Sequence, residues 1–89
     1  MQIESEKDFS KLDARLKSWK KTFPMFAHDI KRIEDMVNQH IANHGNYLVQ
    51  HRQSKKHSYL EKAQQEIEEI NRIIATVEKV ELFALLSKG

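Results

Sequence analysis

The sequence predicts an all-α protein, either an antiparallel helical hairpin or a three-helix bundle with coiled-coil-like packing. Apolar residues recur at alternating spacings of three and four over three long stretches, as they do on one face of a helix. The 89 residues include only two Gly and one Pro, which argues against a turn-rich β fold. Charged residues make up 31% of the chain, which suits long solvated helices. A chain of this length is expected to form a single helical domain over residues 1–89.

The last third of the chain predicts the longest helix, over about residues 58–86. Its apolar positions share one face and are Leu60, Ala63, Ile67, Ile70, Ile74 and Val77. Ser58 followed by Glu61 fits a capping box at the start of this helix. The apolar face of such a rod has to be covered by other helices, from the same chain or from a partner.

The carboxyl end of this helix has a different pattern. The segment Leu82-Phe83-Ala84-Leu85-Leu86 is apolar almost all round the helix. A helix without a polar face is usually buried on every side, and a single neighbouring helix cannot cover it. The segment is either a local core at one end of a bundle or a docking patch for a second copy or a partner.

The first predicted helix covers about residues 6–22. Its apolar stripe is Phe9, Leu12, Leu16, Trp19 and Phe23, and lysines surround it. Ser5 with Asp8, or Ser10 with Asp13, resembles a capping box at its start. A basic amphipathic helix with aromatic anchors also suits an anionic membrane surface or a peptide-binding groove. We favour a bundle helix, because the downstream helices need a partner of this kind.

A second helix is predicted over about residues 24–43. Pro24 should end the first helix and produce a corner, although the same heptad phase continues past it and would also allow a kinked rod. His44-Gly45-Asn46 predicts a hairpin turn, since Gly accepts a positive φ after a helix. Residues 44–57 are therefore a turn or a frayed helix, with a slight preference for the helix after Tyr47.

Four histidines lie between Asp35 and Glu61, a stretch that contains no acidic residue: His40, His44, His51 and His57. They permit a metal site, for which His40, His44 and His51 are weak candidates, but no Cys or carboxylate is near them in the sequence. They also permit a pH response, with weaker association at acidic pH. We favour ordinary polar histidines, and expect no metal and no other cofactor.

The same stretch contains the basic residues Arg52, Lys55 and Lys56 within 51–57, with Tyr47 and Tyr59 nearby for stacking. This pattern permits contacts with the phosphates of a nucleic acid or another polyanion. A solvated basic corner is the simpler interpretation, because few phosphates would be neutralised and the formal net charge is only +2.

Nothing in the sequence predicts an enzyme. There is no Gly-rich phosphate loop, no nucleophile elbow and no zinc-protease motif. The apolar runs are too short to span a bilayer, and the first residues do not resemble a signal peptide. We therefore expect a soluble cytoplasmic protein.

The sequence thus predicts a small, non-enzymatic coiled-coil or helical-bundle protein that acts by protein–protein association. It would be a homo-oligomer or an adaptor for a helical partner. The residues expected to bind the partner are the aromatic and aliphatic anchors Phe9, Leu16, Trp19, Ile67, Ile70, Ile74 and Phe83. The first alternative is a nucleic-acid or polyanion-binding protein, and the second is a histidine-based metal or pH-responsive module.

Overall fold

The computed structural model describes residues 1–88 and confirms the all-α fold class. Its three helices are α1 (Phe9–Thr22), α2 (Ala27–Ser54) and α3 (His57–Lys88). Short 3-10 turns at Glu6–Asp8 and Pro24–Phe26 precede the first two helices. The result is an elongated body of 53 × 18 × 18 Å, in which α2 and α3 form a long hairpin and α1 packs beside it. None of these helices combines the length and the hydropathy that crossing a bilayer requires.

The hairpin turns at Lys55 and Lys56, between the end of α2 and the start of α3. Lys55 has a left-handed backbone conformation with φ 63°, and its N–H donates to the carbonyl of His51 over 2.7 Å. A left-handed residue at this position caps the last carbonyls of a helix, although Gly is the usual choice. Ser58, predicted to cap α3, lies inside its first turn, because the helix begins at His57.

The predicted turn at His44-Gly45-Asn46 is wrong. α2 continues through Gly45 to Ser54, and no glycine among the described residues has a positive φ. A glycine inside a helix costs only about 1 kcal/mol relative to alanine. The continued helix buries His44 against Phe9 and partly buries Leu48, contacts that a turn at Gly45 would not make. The helical interpretation of residues 44–57 is therefore right as far as Ser54.

The predicted corner at Pro24 is confirmed, and the kinked rod is excluded. α1 ends at Thr22, and Phe23 leaves the helical conformation with φ −125° and ψ 67°. After the corner, α2 runs back along α1. Lys20 forms an ion pair with Glu34 over 2.8 Å near the corner, and the Phe9 and His44 rings are in edge contact at 5.5 Å farther away.

The core lies where the three helices meet. Its buried side chains form one cluster, consisting of Ile3, Leu12, Leu16, Trp19, Phe23, Ile30, Val37, Ile67, Ile70 and Ile74. The helical members are the residues that the three-and-four periodicity places on the inner faces. The sequence pattern thus predicts which helical residues form the core, and the fold brings them together.

Ile3 is a core residue that periodicity does not predict, because it precedes the first helix. Its side chain is 1% exposed. Asn71 of α3 holds its backbone on both sides, accepting from the Ile3 N–H over 2.7 Å and donating to the Ile3 carbonyl over 2.8 Å. This pair of hydrogen bonds ties the first residues of the chain to the middle of α3.

Asp8 organises the start of the first helical segment. Its carboxylate accepts from the backbone N–H groups of Glu4 and Ser5 over 3.0 and 3.4 Å. The hydrogen bond from Glu4, with smaller contributions from Ser5 and Lys11, lowers the pKa of Asp8 below its usual value. This is the acidic half of the Ser5–Asp8 capping box expected from the sequence.

Candidate interaction surface at the open end of the hairpin

An apolar groove of about 300 Å³ lies at the end of the hairpin opposite the turn. It forms where α2 begins and α3 approaches its end, and the last turn of α1 closes one side. Residues from all three helices and from the Pro24–Phe26 turn line it: Trp19, Phe23, Phe26, Asp29, Ile30, Ile33, Thr76, Val77, Val80, Glu81 and Ala84. Most of these side chains are apolar, which is typical of a site for an apolar side chain or ligand.

Glu81 fixes the wall of the groove that α1 contributes. Its carboxylate accepts hydrogen bonds from the Trp19 indole N–H and from the Arg15 guanidinium, the latter over 3.1 Å. The Arg15 guanidinium also lies 5.3 Å from the centre of the Trp19 ring, in cation–π contact. Trp19 itself is 2% exposed. The indole is therefore held by packing and by polar contacts, so the groove wall is already formed in the isolated chain.

The apolar surface continues from the groove along α3. We call the residues Val80, Leu82, Phe83, Leu85 and Leu86 the apolar end. Each of them is 54–71% exposed. The sequence left open whether this segment is a local core or a docking patch. Within the described chain these five side chains face solvent, so they do not form a local core. In the segment from Leu82 to Leu86, only Ala84 packs partly against the core cluster.

The structure separates the residues predicted to bind a partner into two groups. Leu16, Trp19, Ile67, Ile70 and Ile74 are buried in the chain's own core, and Phe9 is half-buried against His44. Phe83 is 71% exposed, which leaves it free to meet a partner. Periodicity identifies apolar faces but does not distinguish an internal helix contact from an external one. The groove residues Phe26, Val77 and Val80 were missed as site residues, because the groove exists only once three helices are assembled.

The histidines do not converge. His40 Nδ1 lies 2.5 Å from a carboxylate oxygen of Glu66, His44 is buried against Phe9, and His57 is exposed with Nε2 3.9 Å from Glu61. No three potential metal-binding side chains are grouped together within residues 1–88. Although the stretch from 36 to 60 contains no acidic residue, the hairpin brings the Glu66 carboxylate of α3 to His40.

A second surface, which we call the basic tip, surrounds the hairpin turn and consists of Arg52, Lys55 and Lys56. All three side chains are exposed. The two tyrosines expected to provide stacking faces lie near the Lys62 ammonium group, at 5.9 Å from the ring centre of Tyr47 and 5.6 Å from that of Tyr59. These cation–π contacts already engage both rings. The tip therefore presents three exposed cationic side chains, while Lys62 lies against both tyrosine rings.

Comparisons of this chain with protein-family models, with curated proteins and with solved structures find no match. The features that bear on function are therefore the groove, the apolar end and the basic tip.

Proposed function

We propose that this chain is a non-enzymatic interaction module that binds a protein through the groove and the adjoining apolar end. The observation that carries the proposal is the exposure of five large apolar side chains on successive turns of α3, directly beside an apolar groove. Contiguous exposed apolar surface of this kind usually marks a protein or ligand contact.

The groove supports this proposal because it needs little rearrangement before binding. Arg15 and Glu81 hold the Trp19 indole, so the wall does not have to be ordered by the partner. Ordering flexible side chains on binding costs roughly 0.5–1.5 kcal/mol for each residue. A preformed groove avoids much of that cost, and an aromatic or aliphatic side chain of a partner can fill it.

The charges that line the groove favour a protein over an anionic lipid surface. The two charged residues that line it, Asp29 and Glu81, are both acidic. An amphipathic surface that binds anionic lipid normally carries Lys or Arg beside its apolar face. An apolar helix face with neutral or basic flanks is therefore the chemistry that suits this site best.

Binding from native extract tests this proposal with three forms of the immobilised chain. The unchanged chain is compared with Phe83→Asp/Leu86→Asp, which alters the apolar end, and with Arg52→Glu/Lys55→Glu/Lys56→Glu, which alters the basic tip. We expect a protein, either a second copy or another chain, to bind the unchanged and tip-altered forms and to be lost from the form with two aspartates. Equal capture by all three forms, or loss only with the altered tip, contradicts the proposal.

A second candidate function is polyanion binding at the basic tip. The observation that favours it is the exposure of Arg52, Lys55 and Lys56 around one turn, with none of their charged groups within 4.0 Å of a carboxylate in residues 1–88. If all three neutralise phosphates, binding to a labelled DNA duplex should weaken roughly 40-fold for a four-fold rise in salt. A salt dependence of less than a few-fold, or one unchanged in the triple Glu variant, eliminates this candidate.

A further inference from the structure

We infer that the occupant of the groove is a second copy of this chain, bound so that Phe83 of each copy inserts into the groove of the other. This inference rests on the proposed function, since it names the partner of the same surface. It requires that one surface contain both a protruding side chain and a groove. The side chain of each copy must then fit into the groove of the other copy at the same time.

The protruding side chain and the groove adjoin each other on α3. Val80 and Ala84 line the groove, and Phe83 lies between them in sequence with most of its ring exposed. A surface of this kind is self-complementary, because two copies related by a two-fold axis make both insertions at once. Such an isologous contact closes after two copies and does not propagate into a fibre.

The available apolar area matches what a stable dimer needs. Seven large side chains at this end of the molecule are between 44% and 71% exposed: Met25, Phe26, Val80, Leu82, Phe83, Leu85 and Leu86. Each exposes on the order of 100 Å², because a fully covered aromatic side chain buries about 150–250 Å² and Val, Leu and Met are smaller. Leu82 and Leu85 lie on the flank of α3 away from Val80, so the partner has to cover both sides of the helix end. Together the seven side chains then offer roughly 700 Å² per copy, close to the approximately 800 Å² that each partner buries in a standard interface.

The charges at this end also allow two copies to meet. The segment from Leu82 to Ser87 contains no charged residue. The Glu81 carboxylate is already engaged by Arg15 and Trp19, and the Asp29 side chain is exposed and can stay in water at the rim. Lys79, one turn before Phe83, is also exposed and can stay in water at the rim. Two copies therefore approach without burying an unpaired charge, which would otherwise oppose association.

Sedimentation equilibrium of the purified chain over the micromolar range tests this inference. We expect the average mass to rise from the 10.5 kDa of one chain to twice that value. Trp19, the sole tryptophan, lines the groove, so its fluorescence should change with the same midpoint. Phe83→Asp removes both insertions at once and should weaken the dimer on the order of a thousand-fold.

Gln64→Asp is the matched control, because it places the same charge on an exposed position of α3, roughly 28 Å from Phe83 at 1.5 Å per residue. It should leave the mass curve unchanged. Circular dichroism of both variants should remain helical, since neither position is buried.

Three outcomes overturn the inference. A mass that rises but is insensitive to Phe83→Asp assigns the assembly to another face. A mass that stays at one chain, together with Phe83-dependent capture of a different protein, refutes the second copy and leaves the proposed function standing. A single-chain mass with no Phe83-dependent capture refutes both.

Discussion

The middle and the end of α3 carry similar apolar side chains in different surroundings. Ile67, Ile70 and Ile74 in the middle are at most 3% exposed, whereas the five side chains of the apolar end are more than half exposed. The difference comes from what lies over each part. Ile3 is tied to Asn71, and Glu81 is the last α3 residue that α1 holds by a hydrogen bond within residues 1–88. One helix therefore contributes to a core in its middle and presents exposed apolar side chains at its end.

The largest effect on stability is expected from placing a charge in the middle of α3. Ile70 is 0% exposed, so Ile70→Asp buries a carboxylate with no partner among apolar neighbours. The expected loss of stability is about 4 kcal/mol or more, which unfolds a domain of this size at room temperature. Circular dichroism should show loss of most helical signal. Retention of the folded signal would mean that the middle of α3 is not the core.

A smaller loss of stability is expected when Asn71, which holds the backbone of Ile3 against the middle of α3, is replaced. Asn71→Ala leaves the partly buried N–H and carbonyl of Ile3 without their partner. The expected cost is about 1–3 kcal/mol in urea denaturation, since two backbone groups lose hydrogen bonds. The control is Arg72→Ala at the exposed neighbouring position, which should change stability by less than about 0.5 kcal/mol. Equal effects of the two changes would mean that Asn71 does not anchor the first residues.

A substitution in the middle of α2 can raise the stability of the hairpin without altering the apolar end. Gly45 lies inside α2, and an added Cβ would meet nothing within 4 Å. Gly45→Ala should therefore raise stability by about 0.5–1 kcal/mol in urea denaturation. A loss of stability would mean that Gly45 forms the turn that its sequence context predicts.

The opposite substitution is expected to stabilise the true turn. Lys55 has a positive φ, which costs a residue with a side chain roughly 1–2 kcal/mol. Lys55→Gly removes this cost, but the greater freedom of glycine in the unfolded chain offsets part of the gain. The substitution should therefore raise stability by about 0.5–1 kcal/mol. Lys56→Gly, at the neighbouring turn position without positive φ, is the control and should not stabilise the chain. The same result for both substitutions would argue against a left-handed Lys55.

The smallest effect on folding is expected at the apolar end. Leu86→Gln changes a side chain that is mostly exposed, so the stability of the dilute chain should change by less than about 0.5 kcal/mol. Association should weaken at the same time, because apolar contact area is lost. A loss of several kcal/mol in dilute solution would show that Leu86 is packed within its own chain.

Sequence patterns predict part of this architecture well and another part poorly, for physical reasons. Apolar spacing predicts the inner faces of the helices, and Pro24 predicts the corner, because both act through local geometry. The predicted turn is in the wrong place because Gly45 breaks a helix only weakly. The observed turn is missed because nothing in the sequence at Lys55 indicates a left-handed conformation. The groove cannot be predicted from one helix at a time, since Trp19, Phe26 and Val80 come from separate elements.

Amide hydrogen exchange along α3, followed in dilute and concentrated solution, tests the contrast between its middle and its end most directly. The amides of residues 67–74 should exchange only with global unfolding at both concentrations, because their side chains form the core. The amides of residues 80–86 should exchange faster in dilute solution and slow down as the chain associates. Equal, concentration-independent protection along the whole of α3 would contradict the account, since the apolar end would then be as firmly packed as the middle.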